Sequence, residues 1–348
     1  MALRIALATP FGPPSVRGNA VTASRIAAGI AQRGVHVRMW DLSTMPASEI
    51  EREIEQYRPD VLHAFHAIRV GPLALRLARR LEIPLVVTLT GTDANHDLFD
   101  TALAPVMRGV LEGAATVVVF HDSVGEEVMA ALPDLRPKLA VIPQAVTLHV
   151  MEGFDLDAHW VVPPDAVLFL LPAGLRPVKN PLLPLEPLGR LVLRQPQVRL
   201  LYAGPVLDDG MAQALQSALE GLSWARHIGE VPREQMASLL NRADVVLNCS
   251  ISEGGMANSV LEALALGRAV LASDIPGNRS VIEDGVTGLL FRDAIDFEAC
   301  AAQLVLDPEL RARLGTAGRT LMERRYPPEH EIEGYLALYE RLVPAPAA

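Results

Sequence analysis

Residues 243–278 read ADVVLNCSISEGGMANSVLEALALGRAVLASDIPGN. ADVVLNCS is a short β-branched run of strand length, and a Gly-rich loop follows it. Asn258 or Ser259 then reads as the cap of a helix over VLEALALG, which Gly267 closes. AVLAS is a second strand, and it runs into a Pro276-Gly277 turn. Strand, helix-length segment and strand in succession form a βαβ unit with parallel strands. Two carboxylates, Glu253 and Glu262, flank the loop at the mouth of the helix.

The same alternation runs outward in both directions. Upstream of the quoted stretch lie AVLFLLP, VRLLYAGP and ARHIGEV, and downstream lies TGLLF; these belong to one sheet. Nearer the start, LRIALAT, VHVRMW, DVLHAF, PLVVTLT, ATVVVF and KLAVIP build another, each separated by a segment of helical length. Residues 146–165 carry Pro163 and Pro164 and show no clear period, so they read as an interdomain connection. From Phe297 to Val343 the pattern is helical, interrupted at Pro308 and at Pro327-Pro328. The expectation is an α/β chain with two doubly wound parallel-sheet domains, 1–150 and 165–328, facing a central cleft. Ligands of such sheets bind at the C-terminal ends of the strands.

Composition narrows the function. A chain of 348 residues, half of them hydrophobic, suits two domains of ordinary size. No apolar run reaches the length of a membrane span. The start, MALRIALATPFGPP, reads as a first strand rather than a signal peptide, which gives a cytoplasmic expectation. Acids outnumber bases 41 to 31, which argues against nucleic acid as a partner. Cys249 and Cys300 stand far apart and indicate neither a metal cluster nor a disulfide framework. G-x-G-x-x-G follows no strand and Gly-Lys-Ser/Thr is absent, so a nicotinamide enzyme and a P-loop hydrolase are both disfavoured.

Three turns carry polar chemistry. At the first, Gly254 and Gly255 permit close backbone approach, and the N–H groups at the following helix start favour a phosphate. Ser259-Val-Leu-Glu262 also fits a capping box, with the glutamate bonding back to its cap; Glu253 has no such role. The second, PAGLRPVKNP, places Arg176 and Lys179 at a strand end, where a fork donor and a point charge suit a diphosphate or stand as ordinary surface cations. At the third, SVRGNAVTASR, Gly18 and Asn19 open a helix, or form a plain loop with a cap. His63 and His66 in HAFHA read as strand-end residues, one of them towards the cleft. Asp208-Asp209 reads as a turn or helix cap, and RVGPLALRLARRL as a soluble helix with an arginine-rich face.

In this order the turns resemble a family 4 glycosyltransferase of the two-Rossmann-domain GT-B fold. SEGGMANSVLEALALGRAVLASDIPGNRSVIEDGVTGLLF resembles the family's donor-binding signature, and PAGLRPVKNP its phosphate segment. RGNAVTASRI, HAFHA, TGTDAN and LRPVKNP resemble the branch of glycosyltransferase 1 domain-containing proteins; LTGTD, LRPVK, EGG and IPGN are similar to bacterial selenosugar synthases. Two departures stand out. Glu253 and Glu262 enclose GGMANSVL, one residue more than the family's spacing, and Leu175 separates Gly174 from Arg176 where the family has an adjacent pair.

The resemblance implies a retaining, metal-independent hexosyltransferase that uses a nucleoside diphosphate sugar, with uridine as the expected base. Glu262 would hold the ribose. The backbone of Gly254, Gly255, Met256, Ala257, Asn258 and Ser259, with Arg176 and Lys179, would bind the diphosphate. The backbone near Ile228 would meet the base, and Glu253 would face the sugar near the reacting carbon. Gly18 and Asn19 would touch the phosphate side, while Asp93 and His66 lie on the acceptor side. The C-terminal helix, 329–348, would pack back on the first domain. The resemblance implies no cofactor and no metal ligand; the acceptor is a small or lipid-linked molecule. A selenosugar or thiosugar synthase, and a non-catalytic nucleotide-sugar-binding protein, are the alternative readings. Sugar, acceptor and oligomeric state are not encoded in any legible pattern.

Overall fold

The structure is a computed structural model that describes residues 3–15, 17–148, 153–253 and 255–343. It divides into two compact units, Met1–Ala145 with Tyr326–Ala348, and Val146–Arg325. The first stretch runs β1 (Arg4–Thr9), α1 (Gly18–Gln32), β2 (His36–Asp41), α2 (Ala47–Tyr57), β3 (Val61–Phe65), α3 (Gly71–Leu81), β4 (Leu85–Thr88), α4 (Ala104–Gly113), β5 (Thr116–Val119), α5 (Asp122–Ala131) and β6 (Leu139–Val141). The second runs β7 (Val167–Pro172), α6 (Leu185–Val192), β8 (Val198–Ala203), α7 (Asp209–Leu219), β9 (Ala225–His227), α8 (Arg233–Arg242), β10 (Val245–Asn248), α9 (Asn258–Ala265), β11 (Ala269–Ser273), α10 (Pro276–Arg279), β12 (Leu289–Phe291), α11 (Ala294–Leu306) and α12 (Pro308–Arg325). α13 (Pro328–Leu342) follows.

Each unit holds one six-stranded sheet with every pairing parallel, as the alternating pattern requires. The first has the order β2-β1-β3-β4-β5-β6 and the second β12-β11-β10-β7-β8-β9. Strand order therefore reverses between β1 and β3 in one sheet and between β7 and β10 in the other. Such a switch opens a crevice at the C-terminal ends of the two strands. Inner strands such as VLHAF and VVLN are buried throughout, while the edge strand HVRMWD alternates.

The first sheet is covered on both faces. α2 to α5 pack on one face with Leu62, Ala64, Val87 and Val119. α1 and α13 pack on the other with Ile5, Leu7, Phe65 and Val86. Three contacts fix α13 there. Arg25 makes a two-pronged pair with Glu331, Nε to Oε2 and Nη2 to Oε1 both at 2.8 Å. Ile332 fills the space over Gly29, where a Cβ would lie 2.5 Å from Ile332 Cδ1. His63 Nδ1 lies 2.6 Å from the Tyr339 hydroxyl and its Nε2 lies 2.7 Å from Thr88 Oγ1. Burial alone pushes the His63 imidazole down to about 3, so it is neutral there.

HAFHA thus sends neither histidine to an open surface, because His63 is fully buried and His66 is 2 % exposed. Asp208 Oδ1 accepts from Met211 N at 2.7 Å and caps α7. Two of the three arginines of α3 are paired by α2: Arg76 and Arg80 with Glu51, and Arg80 also with Glu55. Among the described residues, no helix is long and apolar enough to cross a membrane.

Candidate active site

The crevice between β7 and β10 collects most of the residues singled out in the second half of the chain. β7 ends at Pro172, and the chain then makes a tight passage. Leu175 is buried in the core and bridges Val206, with Leu175 N to Pro205 O at 2.8 Å. Gly204 makes room for this passage, since its φ is +154° and a Cβ would meet Ala173 O at 2.2 Å. The residue inserted after Gly174 is therefore spent on the core, and Arg176 emerges exposed at the next position. One turn of 3₁₀ helix, Pro177–Lys179, follows and ends with Asn180 in the left-handed region. Ile251 N donates to Val178 O at 2.9 Å, which ties this turn to the segment after β10.

Lys179 thereby reaches Glu253. Their side chains form an ion pair between Nζ and Oε1, at 17 % and 12 % exposure. The same Oε1 accepts from Ser250 Oγ at 2.7 Å and Asn248 Nδ2 at 3.1 Å. Burial pushes the Glu253 carboxyl up, but the Lys179 cation and these hydrogen bonds outweigh it and hold the group below its ordinary range. Glu253 is consequently an anion at neutral pH.

A polar network backs this carboxylate. Asn248 Oδ1 accepts from Ser250 N at 3.1 Å and from Asn278 Nδ2 at 3.3 Å. Asn278 Nδ2 also donates to Ser273 O at 2.9 Å, and Ser273 Oγ donates to Ser250 O at 2.6 Å. Gly277 permits the approach, because a Cβ there would lie 2.6 Å from Gly255 O and 2.7 Å from Glu253 Cβ. The IPGN turn is thus the floor under Glu253.

The loop then enters α9. Gly254 lies outside the described residues. Gly255, Met256 and Ala257 are buried, and Asn258 and Ser259 are half-buried. The capping-box reading of Glu262 is corrected here. α9 begins at Asn258 with Ala257 as its N-cap and no side-chain cap bond, so Ser259 is already helical. Glu262 lies beyond the first turn and is 4 % exposed. It faces Arg233, whose Nη2 lies 2.5 Å from Oε1. That contact is a charge pair without hydrogen-bond alignment, since Oε1 is buried and receives no aligned donor. Arg233 opens α8, just after Ile228, which is half-buried and donates N–H to Tyr202 O at 3.1 Å. One carboxylate of the motif is thus joined to the β9–α8 turn and the other to the β7 turn.

Arg233, Asn248 and Ser250 are not singled out from the sequence, and Gly277 and Asn278 read there only as part of the IPGN turn, not as site residues. A polar Asn248 ending the apolar strand VVLN is a legible signal for one of them. The Arg233–Glu262 pair spans two helices and leaves no local trace.

The other predicted residues lie in the first unit, at the ends of β1, β3 and β4. Gly18 is exposed and Asn19 half-buried in the first turn of α1. Asp93 does not present its carboxylate outward, which corrects its reading as an acceptor contact. It is fully buried; Oδ1 accepts the N–H groups of Thr90, Gly91 and Ala94, and Oδ2 that of Ala67, at 2.8–3.1 Å. It knots the loop after β4 to the loop after β3. His66 sits beside it with φ +81°; its Nδ1 is 3.7 Å from Asp93 Oδ2, and its Nε2 is buried without a hydrogen-bond partner. Among the described residues, no group of three His, Cys, Asp or Glu side chains could hold a metal ion.

Comparison with known proteins places this architecture. Residues 4–150 match the family described as Glycosyltransferase Family 4, and residues 156–321 that described as Glycosyl transferases group 1. The chain is 29 % identical over 327 residues to glycosyltransferase 1 domain-containing protein 1 of Xenopus tropicalis, covering 92 % of this chain and 93 % of that one. In fold it is similar to a sucrose-phosphate synthase of Thermosynechococcus elongatus, with a TM-score of 0.79 at 19 % identity over 98 % of this chain and 99 % of that one. It is also similar to Anabaena Alr3699/HepE, crystallised in complex with UDP and glucose, with a TM-score of 0.77 at 15 % identity over 98 % and 100 % of the two chains.

Proposed function

The chain is a GT-B glycosyltransferase of the group 1 and family 4 kind, and on that premise we propose that it moves a hexosyl group from a nucleoside diphosphate sugar, with uridine as base, to an acceptor held by the first unit, with retention of anomeric configuration. The observation that carries this reading is the Lys179–Glu253 pair at the β7/β10 switch point. A cation for the leaving group and an ionised carboxylate for the sugar stand side by side where such sheets bind ligands. The UDP and glucose bound to the HepE relative support uridine and a hexose.

The chemistry follows from charge. As the bond between the sugar and the diphosphate breaks, negative charge gathers on the leaving oxygen. Lys179, Arg176 and the N–H groups at the start of α9 are cationic or partly positive groups aimed at that charge. An ammonium has three donors, so Lys179 can keep Glu253 and still bond a phosphate oxygen. Positive charge develops on the sugar ring at the same time, and the Glu253 carboxylate stabilises it. The acceptor hydroxyl attacks from the face the diphosphate leaves, and the departing phosphate takes its proton. Glu262 holds the ribose hydroxyls, and Ile228 the base edge.

The test separates the two carboxylates. Glu253→Gln is expected to lower the rate of UDP release from UDP-glucose on the order of 100-fold, with the Kd for UDP unchanged within about twofold. Glu262→Ala is expected to weaken UDP instead. Wild-type turnover by Glu253→Gln would overturn the role given to that residue, and failure of the wild type to bind any nucleotide sugar would overturn the whole reading.

A further inference from the structure

The first unit has its own switch point, between β1 and β3, and the two loops that leave it carry a cationic cluster. Phe11 follows β1 by two residues, its carbonyl fixed by the Thr9 hydroxyl at 2.9 Å. The Arg17 guanidinium carbon lies 4.1 Å from the centre of the Phe11 ring. Arg69, from the loop after β3, brings its own guanidinium carbon to 5.5 Å from the same centre. Arg17 is half-buried and Arg69 exposed. Among the described residues, neither has a carboxylate within ion-pair distance; the Asp97 carboxylate lies within electrostatic range of Arg69. The buried His66 Nε2 without a partner belongs to this same β3 loop, three residues from Arg69, on a backbone at φ +81°.

Two like charges on one aromatic ring repel each other, and among the described residues neither is held in an ion pair. The ring restrains the two guanidiniums, so less side-chain freedom is lost when they grip a ligand. The chain as a whole carries a net charge of −10, so this spot opposes the surrounding field. Planar forks of this kind match oxyanions such as phosphate and carboxylate. Their place outside the carboxyl ends of β1 and β3 is where an open α/β sheet binds ligands.

We propose that Phe11, Arg17 and Arg69 form a subsite for an anionic group, a phosphate or a carboxylate, carried by the sugar acceptor. The inference rests on the transferase reading above and specifies its acceptor: a charged molecule rather than a neutral polyol.

The experiment is calorimetric titration of the full chain at saturating UDP, which keeps added anions off Arg176 and Lys179. The probes are inorganic phosphate, glycerol 3-phosphate and glucuronate, with glycerol as the neutral control. At least one anionic probe is expected to bind the wild type, and at least tenfold more weakly to Arg17→Ala/Arg69→Ala, while the Kd for UDP stays within twofold. Preference for the phosphates or for glucuronate identifies the source of the charge. Arg17→Lys/Arg69→Lys, which keeps the charge, is expected to recover part of the loss and guards against a folding defect. The inference is overturned if no anionic probe binds, if both forms bind alike, or if the double variant loses UDP instead of the anion. Anion failure with UDP still bound sinks this inference alone; failure of UDP to bind the wild type sinks the transferase reading beneath it.

Discussion

Glu253 and Glu262 lie in one short motif yet have opposite electrostatic settings. Glu253 receives a lysine and two neutral donors on a single oxygen. Glu262 has a charge partner but no aligned donor on its buried oxygen. A carboxylate buried with one partner becomes an uncompensated charge when that partner is removed. Arg233→Ala is therefore expected to lower stability by about 1–3 kcal/mol, discounted because Arg233 is partly exposed. Adding Glu262→Gln, which removes the charge, is expected to restore most of that loss. Urea denaturation of the wild type, both single variants and the double variant measures it, and a double variant no more stable than Arg233→Ala alone would contradict it.

Among the elements, α13 belongs to the first unit although more than half the chain separates it from β6. It is held by apolar burial, by the Arg25–Glu331 pair and by His63. Replacing Arg25 with alanine leaves Glu331, 2 % exposed, without its cation; a loss of about 3–5 kcal/mol is expected, readable as a shift of the unfolding midpoint. His63 adds a pH dependence. Its folded pKa, about 3, lies below the ordinary 6.5, so between those values the unfolded chain binds a proton that the folded chain does not. The stabilisation is complete above pH 6.5 and is lost as pH falls, by about 1.4 kcal/mol per unit at most. Between pH 5.5 and 4.5 the wild type should lose about that much more stability than His63→Gln. Parallel pH profiles for the two proteins would show that His63 takes up its proton alike in the folded and unfolded chain, against the depression by burial.

At the scale of the whole molecule, the chain carries a net charge of −10, and under the proposed function an anionic donor is met by a few cations placed at one sheet end. Stabilisation by ligand should follow. UDP at 100 times its Kd is expected to raise unfolding free energy by about 2.7 kcal/mol, and Lys179→Ala should reduce this at equal UDP concentration. Because Arg176, Lys179 and the start of α9 supply positive charge, UDP release should persist in EDTA. Loss of activity on chelation, restored by manganese or magnesium, would show that these groups do not suffice.

The sequence by itself determined the fold class. Runs such as VLHAF and VVLN can be read as buried parallel strands because hydrophobic period and turn chemistry are local properties. The identity of the polar turns was equally legible, since Gly-rich loops, Arg176 and Lys179 stand at strand ends. The partners of those residues were not. Lys179 meets Glu253, and Arg233 meets Glu262, only because strand order places β7 beside β10 and α8 beside α9. Asp93 looked like an available carboxylate, yet four backbone N–H groups consume it in the folded chain. Ser259 looked like a cap, yet the helix starts one residue earlier. Burial and pairing depend on residues far apart in the chain, and only the tertiary structure decides which of them come within 3 Å of one another.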